Sequence, residues 1–125
     1  MWDGFNKRKF PRLNLRCEIL IQAGDKTTPY SAVTENVGAG GVCVILDQPL
    51  ERFAHCRVKL ELDDRAQKLE CRGKVVWAIP TAESGNRKKS FDIGIEFTDL
   101  QPVDRQLMRE FIESSVKKGF REIKI

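Results

Sequence analysis

Histidine occurs once, at His55, and the four cysteines, Cys17, Cys43, Cys56 and Cys71, contain no C-x-x-C pair. Zinc-ligand spacing is therefore absent, and no Cys-His or Ser-His-Asp set can be built around a single imidazole. No cofactor motif is present either, so the chain is expected to hold no metal or cofactor, to have no catalytic residues and not to be an enzyme. Long apolar runs are also missing. The longest, Gly41 to Leu46, is far short of the roughly 20 residues that cross a bilayer. The opening Met-Trp-Asp-Gly lacks the basic-then-apolar pattern of a secretory leader. Both absences predict a cytoplasmic protein without membrane insertion, in which structural disulfides are not expected.

Apolar residues themselves are not scarce. With 41% hydrophobic and 32% charged residues the composition is that of a soluble globule, and 125 residues suit a single hydrophobic core. Net charge is +4, from 22 Lys and Arg against 18 Asp and Glu. Residues 1 to 16 hold Lys7, Arg8, Lys9, Arg12 and Arg16 against Asp3, so this stretch carries the whole excess and the remainder is formally neutral. Such a distribution points to a localised anion site rather than a diffuse nucleic-acid surface.

Alternation with a period of two predicts strands with one face in a core. It is clearest over 56 to 63, with Cys56, Val58, Leu60 and Leu62 inward, and over 69 to 77, with Leu69, Cys71, Gly73, Val75 and Trp77 inward. Asp63-Asp64-Arg65 supplies the turn between them. Further strands are predicted near 15 to 23, 30 to 35, 41 to 46 and 91 to 97, and His55 is expected to begin one. Six short strands suggest a small antiparallel barrel or sandwich. After Phe97 the spacing changes to four: Val103, Leu107 and Phe111, with Met108, Ile112 and Val116 beside them, predict one C-terminal helix whose stripe packs on the barrel. Pro102 suits its first position, Asp104 its positive end, Lys117 and Lys118 its negative end, and Gly119 an exit with positive φ. The chain thus divides into a flexible basic arm (1–12), a barrel with its helix (13–119) and a tail (120–125). The loop from Thr81 to Lys89 also reads as mobile.

Two segments carry candidate chemistry. In KRKFPRLNL, Lys7, Arg8, Lys9 and Arg12 surround a Phe-Pro pair that disfavours helix, leaving an extended arm. Arginine's planar fork clamps phosphate oxygens, pairs with guanine O6 and N7, and stacks on purines. In TENVGAGGVCV, Gly38, Gly40 and Gly41 permit positive φ and close approach of a ligand to the backbone, with Asn36 as donor and acceptor at its mouth. This is neither a P-loop nor a dinucleotide fingerprint. On their own, the first segment reads as a solvated basic arm and the second as an irregular tight turn between strands. Trp77 reads either as a core or rim residue or as a stacking platform. Trp2 and Phe5, in the arm, could cover an apolar patch there, contact a partner or remain mobile.

In this order, the two segments and the ending SFDIGIEFTDLQPVDRQLMREFI resemble the PilZ domain family, with its R-x-x-x-R arm, [D/N]-x-S-x-x-G turn and terminal strand and helix. Arg8 and Arg12 stand at the two arginines, with Lys7 where many members have another. Asn36 and Gly41 stand at the ends of the turn motif, and GKVVWAI is similar to the family's fifth strand. The resemblance implies a six-stranded antiparallel β-barrel with a C-terminal α-helix. It also implies a ligand, the bacterial second messenger cyclic di-GMP, held on the outer face between arm and turn by Lys7, Arg8, Arg12, Asn36, Gly38, Gly41 and Trp77. It further implies an output protein as partner, from motility, surface polysaccharide or other output machinery. Gly38 departs from the pattern by replacing the motif serine. One lost neutral hydrogen bond, about 0.5–1.5 kcal/mol, is expected to weaken binding about tenfold without abolishing it.

Two other functions fit parts of the chain. A PilZ-fold module acting through protein contacts without nucleotide is consistent with Gly38. A small barrel binding single-stranded nucleic acid needs exposed aromatics along a basic groove, and Tyr30 with a few phenylalanines are the available ones, so no nucleic-acid polymer is expected as partner.

Overall fold

The structure, a computed structural model, describes residues 12–24, 28–62, 68–81, 89–119 and 122–123, with Arg12 and residues 122–123 as backbone. The expected arm residues Trp2, Phe5, Lys7, Arg8 and Lys9, the turn 63–65 and most of the 81–89 loop lie outside the described residues.

Eight strands and one helix follow in order: β1 (Arg12–Leu13), β2 (Glu18–Ala23), β3 (Tyr30–Gly38), β4 (Gly41–Leu46), β5 (His55–Glu61), β6 (Lys68–Pro80), β7 (Phe91–Phe97), α1 (Pro102–Lys117) and β8 (Glu122–Ile123). The six long strands pair in the order β2-β5-β6-β7-β4-β3, and β3 pairs again with β2, closing the sheet into an antiparallel barrel. Closure leaves these six strands without free edges, which is how so small a β-domain satisfies its backbone. The two short strands extend the sheet beyond β3, with Arg12 opposite Gly38 and Leu13 opposite Glu122.

The alternating residues face inward as their period requires. Cys56, Val58, Leu60 and Leu62 are buried, as are Ile19, Ile21, Val42, Val44, Ile93 and Ile95. On the outer side of β5 and β6, Lys59 pairs with Glu70 at 3.6 Å and Lys68 with Glu61 at 3.9 Å. All four cysteines are free thiols. In β2 the burial alternation extends back through Cys17, Leu15 and Leu13, beyond the end of its ladder. Between β1 and β2 the chain bends, and the buried hydroxyl of Thr34 holds the bend: it accepts from Cys17 N at 2.8 Å and donates to Leu15 O at 2.8 Å. Thr34 N in turn donates to Cys17 O at 2.9 Å.

The helix begins at Pro102 after an extended Gln101, has Asp104 in its first turn and Lys117 in its last, and ends before Gly119 at φ +102°. Its buried face is only part of the expected stripe. Met108, Ile112 and Ser115 are buried, Leu107 and Phe111 are half-buried, and Val103 is 78% exposed. A repeat of four advances about 40° further than a helical turn at each step, so positions 103, 107 and 111 drift around the helix. The spacing 108, 112, 115 stays on one side. Met108 and Ile112 join the barrel core, and the helix lies beside β1.

Candidate functional site

The hairpin between β3 and β4 is the geometric centre of the outer patch that collects the candidate residues. β3 runs to Gly38, longer than its alternation suggested, so Asn36 and Gly38 are strand residues and Ala39-Gly40 form the tip. Positive φ among the described glycines occurs at Gly24 and Gly119, not in this hairpin. What Gly41 provides is close approach instead: a Cβ there would collide with the carbonyl oxygen of Ile95 on β7, so a side chain would force the two strands apart.

The register lays these residues in rows across the outside of the barrel. One row runs Arg12, Gly38, Gly41, Glu96, Lys74 and His55. The next runs Asn36, Cys43, Gly94 and Trp77, and a third runs Ile45, Asp92 and Ile79. Alternate residues Val37, Val42, Val44, Ile93, Ile95 and Val75 are in the core, so these rows are the outer ones. The result is a floor of backbone without side chains at Gly38 and Gly41, both buried, bordered by Asn36 on one side and the charged pair of positions Glu96 and Lys74 on another.

Two bulges set this arrangement. Register shifts between Thr34 and Asn36 on β3, and between Val75 and Trp77 on β6. An extra residue reverses which face the following side chains take. Strict alternation put Trp77 inward with Val75, whereas after the bulge Ala78 packs on the core and Trp77 is on the outer face. Its indole covers Gly94, where any Cβ would meet the ring carbons. Its Nε1–H donates to Asp92 Oδ1 at 3.1 Å, and the Cys43 thiol donates to the same oxygen at 2.8 Å. Cys43 is buried although it lies in the outer phase of β4, which explains why Gly41 to Leu46 reads as a continuous apolar run rather than an alternation.

Next to the same β6 bulge, Phe53 is held at φ +69° and the residue is 55% exposed. Its N–H donates to Val75 O at 2.6 Å, and the Arg52 guanidinium and Lys74 ammonium lie 4.7 and 5.5 Å from the ring centre. These cation–π contacts offset part of the cost of a left-handed aromatic residue.

Of the candidates from the sequence, Asn36, Gly38, Gly41 and Trp77 come together on one face, and the backbone of Arg12 runs beside Gly38. Lys7 and Arg8 lie outside the described residues. Sequence reasoning missed Cys43, Asp92 and Gly94. A glycine inside the otherwise alternating 91–97 segment was the available sign, because strand-interior glycine marks close approach of another group. Another concavity, of about 400 Å³, lies across β2, β5 and β6 and is lined by Leu20, Gln22, Arg57, Lys59, Glu70 and Arg72. Its charges are partly neutralised by the Lys59–Glu70 pair and by Arg72 with Asp99 at 3.8 Å, and it has no glycine floor. Among the described residues no group of three metal-ligating side chains occurs, and no helix is long and apolar enough to cross a membrane.

A family model for the PilZ domain matches residues 6–114. The chain belongs to the PilZ family. Among solved structures, the PilZ domain of YcgR from Escherichia coli with c-di-GMP shares the fold at a TM-score of 0.73 and 8% identity, over 90% of this chain and 94% of that one. The inhibitor of motility MotI/DgrA from Bacillus subtilis gives 0.70 at 18% identity, over 90% of this chain and 53% of its own. The MrkH–c-di-GMP complex from K. pneumonia gives 0.72 at 16% identity, over 90% and 53%. This PilZ chain thus spans about half the length of MotI and of MrkH. No curated protein matches it in sequence.

Proposed function

We propose that this PilZ domain is a cytoplasmic receptor for cyclic di-GMP that binds rather than transforms its ligand and signals to a partner protein. The observation that carries the reading is the outer floor: the side-chain-free backbone of Gly38 and Gly41 lies in the row next to the one that holds Asn36 and Trp77, and β1 delivers Arg12 alongside Gly38. In this reading one guanine stacks on Trp77 and is held at its edge by Asn36, while Lys7, Arg8 and Arg12 engage phosphates and guanine O6/N7. The family membership, and neighbours of the same fold whose structures contain c-di-GMP, support this ligand. The arm preceding Arg12, which β1 already sets beside Gly38, orders over it, and the surface so created or hidden is what a partner from motility or polysaccharide machinery reads.

Calorimetric titration of cyclic di-GMP, with GTP as control, tests the receptor. Micromolar or tighter binding that falls at least 100-fold in an Arg8→Ala, Arg12→Ala double variant is the expected result, since two charge-assisted clamps contribute about 1.5–3 kcal/mol each. Absence of heat, with unchanged NMR shifts, would replace this reading by a nucleotide-independent PilZ-fold interaction module, which the missing hydroxyl at Gly38 favours.

A further inference from the structure

Asp92 occupies the centre of an outer row between Ile45 and Ile79, where a carboxylate contributes nothing to the core and, among the described residues, makes no ion pair. One of its oxygens instead gathers two donors from the strands on either side: Trp77 Nε1 of β6 at 3.1 Å and Cys43 Sγ of β4 at 2.8 Å. The indole is thereby fixed twice. Its ring lies on Gly94, which has no Cβ to lift it, and its N–H edge is tied to Asp92. Floor contact alone would let the indole slide or turn about its side-chain bonds, whereas the edge bond selects one orientation.

We propose that Asp92 is a positioning residue for ligand binding: it clamps the Trp77 indole flat on Gly94 so that the stacking surface is formed before the nucleotide arrives. The inference rests on the cyclic di-GMP reading. A stacking side chain that must first be immobilised loses rotamer freedom on binding, and prior fixation removes that loss. Releasing the clamp is therefore expected to weaken cyclic di-GMP binding about three- to tenfold. Asn at position 92 retains a side-chain oxygen to accept from both Trp77 and Cys43, so it keeps the clamp while removing the charge.

The test uses the full chain carrying Trp2→Phe, so that Trp77 is the remaining indole, labelled with 15N at Nε1. In the ligand-free protein Asp92→Ala should shift the Nε1–H resonance and speed its exchange with solvent, while Asp92→Asn should leave the exchange slow. Titration with cyclic di-GMP should show the three- to tenfold loss in Asp92→Ala, recovery to within about twofold in Asp92→Asn, and no added effect of Asp92→Ala in a Trp77→Ala background. An equal loss with and without Trp77 would overturn the inference, since Asp92 would then act on the ligand directly or on the fold. So would unchanged affinity in Asp92→Ala, or loss in Asp92→Asn with a slow-exchanging indole N–H. If the parent protein does not bind cyclic di-GMP, the receptor reading fails and takes this inference with it. Binding by the parent with any of the other overturning results removes the positioning role alone.

Discussion

Thr34 shows how one hydroxyl can decide where a segment goes. Its Oγ1 satisfies the Cys17 N–H and the Leu15 carbonyl at the bend between β1 and β2, both buried away from water. Valine has nearly the same shape and neither capacity. Thr34→Val is expected to lower the unfolding free energy by about 2 kcal/mol, the cost of leaving buried backbone groups unpaired, whereas Thr34→Ser should lose less than half of that. Urea denaturation of the two variants checks the difference. Because the bend sets the path of β1 past Gly38, the valine variant should also loosen the pairing of β1 with β3. Phe53 illustrates the opposite case, a residue held at φ +69° by an N–H bond to Val75 and by two cations around its ring rather than by its own preference.

At the scale of the element, the helix separates what spacing reveals from what packing selects. Its start at Pro102, its end before Gly119 and its length are local properties, set by proline's fixed φ, glycine's freedom and the placement of charge at the ends. Its buried face depends on what lies opposite. Met108→Ala and Ile112→Ala, each emptying a site in the common core, are expected to cost about 2–4 kcal/mol. Val103→Ala, at a position 78% exposed, should stay within about 0.5 kcal/mol. Thermal or urea unfolding of the three would distinguish this face from the one centred on 103, 107 and 111. The strands behave alike: β5 has its alternation and burial in register throughout, while β3 and β6 each carry a bulge that redirects the residues after it.

At the scale of the molecule, barrel closure buries Cys17 and Cys56 and partly buries Cys71, and the thiols report it. Burial pushes Cys56 up to about 11 from an ordinary value of 9.0, and a backbone hydrogen bond to Gly73 offsets little of this. Burial, with the nearby charges of Asp99 and Asp104 and of Cys56, pushes Cys71 up to about 12. Cys17 moves the same way, again by burial, against a smaller opposing hydrogen bond from Thr34. The folded state thus favours the neutral thiol, whereas the unfolded chain ionises near pH 9. This contribution to stability is present in full below pH 9 and is lost as pH rises towards 11–12. Denaturation midpoints should be level from pH 7 to 9 and fall beyond it, and a Cys56→Val, Cys71→Val double variant should fall less steeply. An identical slope would show that other groups govern the alkaline limit.

The sequence by itself determined the class of fold and the locations of most of its elements, because strand alternation and helix punctuation are properties of neighbouring residues. Cys56 to Leu62 and Pro102 to Gly119 could be read directly for that reason. It also identified the family, through the arm and turn motifs and the terminal strand and helix. Tertiary structure alone decided which faces those residues occupy where the ladder is irregular. The bulge at Val76 carries Trp77 from the core phase to the outside, and closure brings Asp92 and Gly94 of β7 beside Cys43 of β4. No periodicity in one dimension encodes such a neighbour, since the shift of register and the partner strand are set by how the barrel closes.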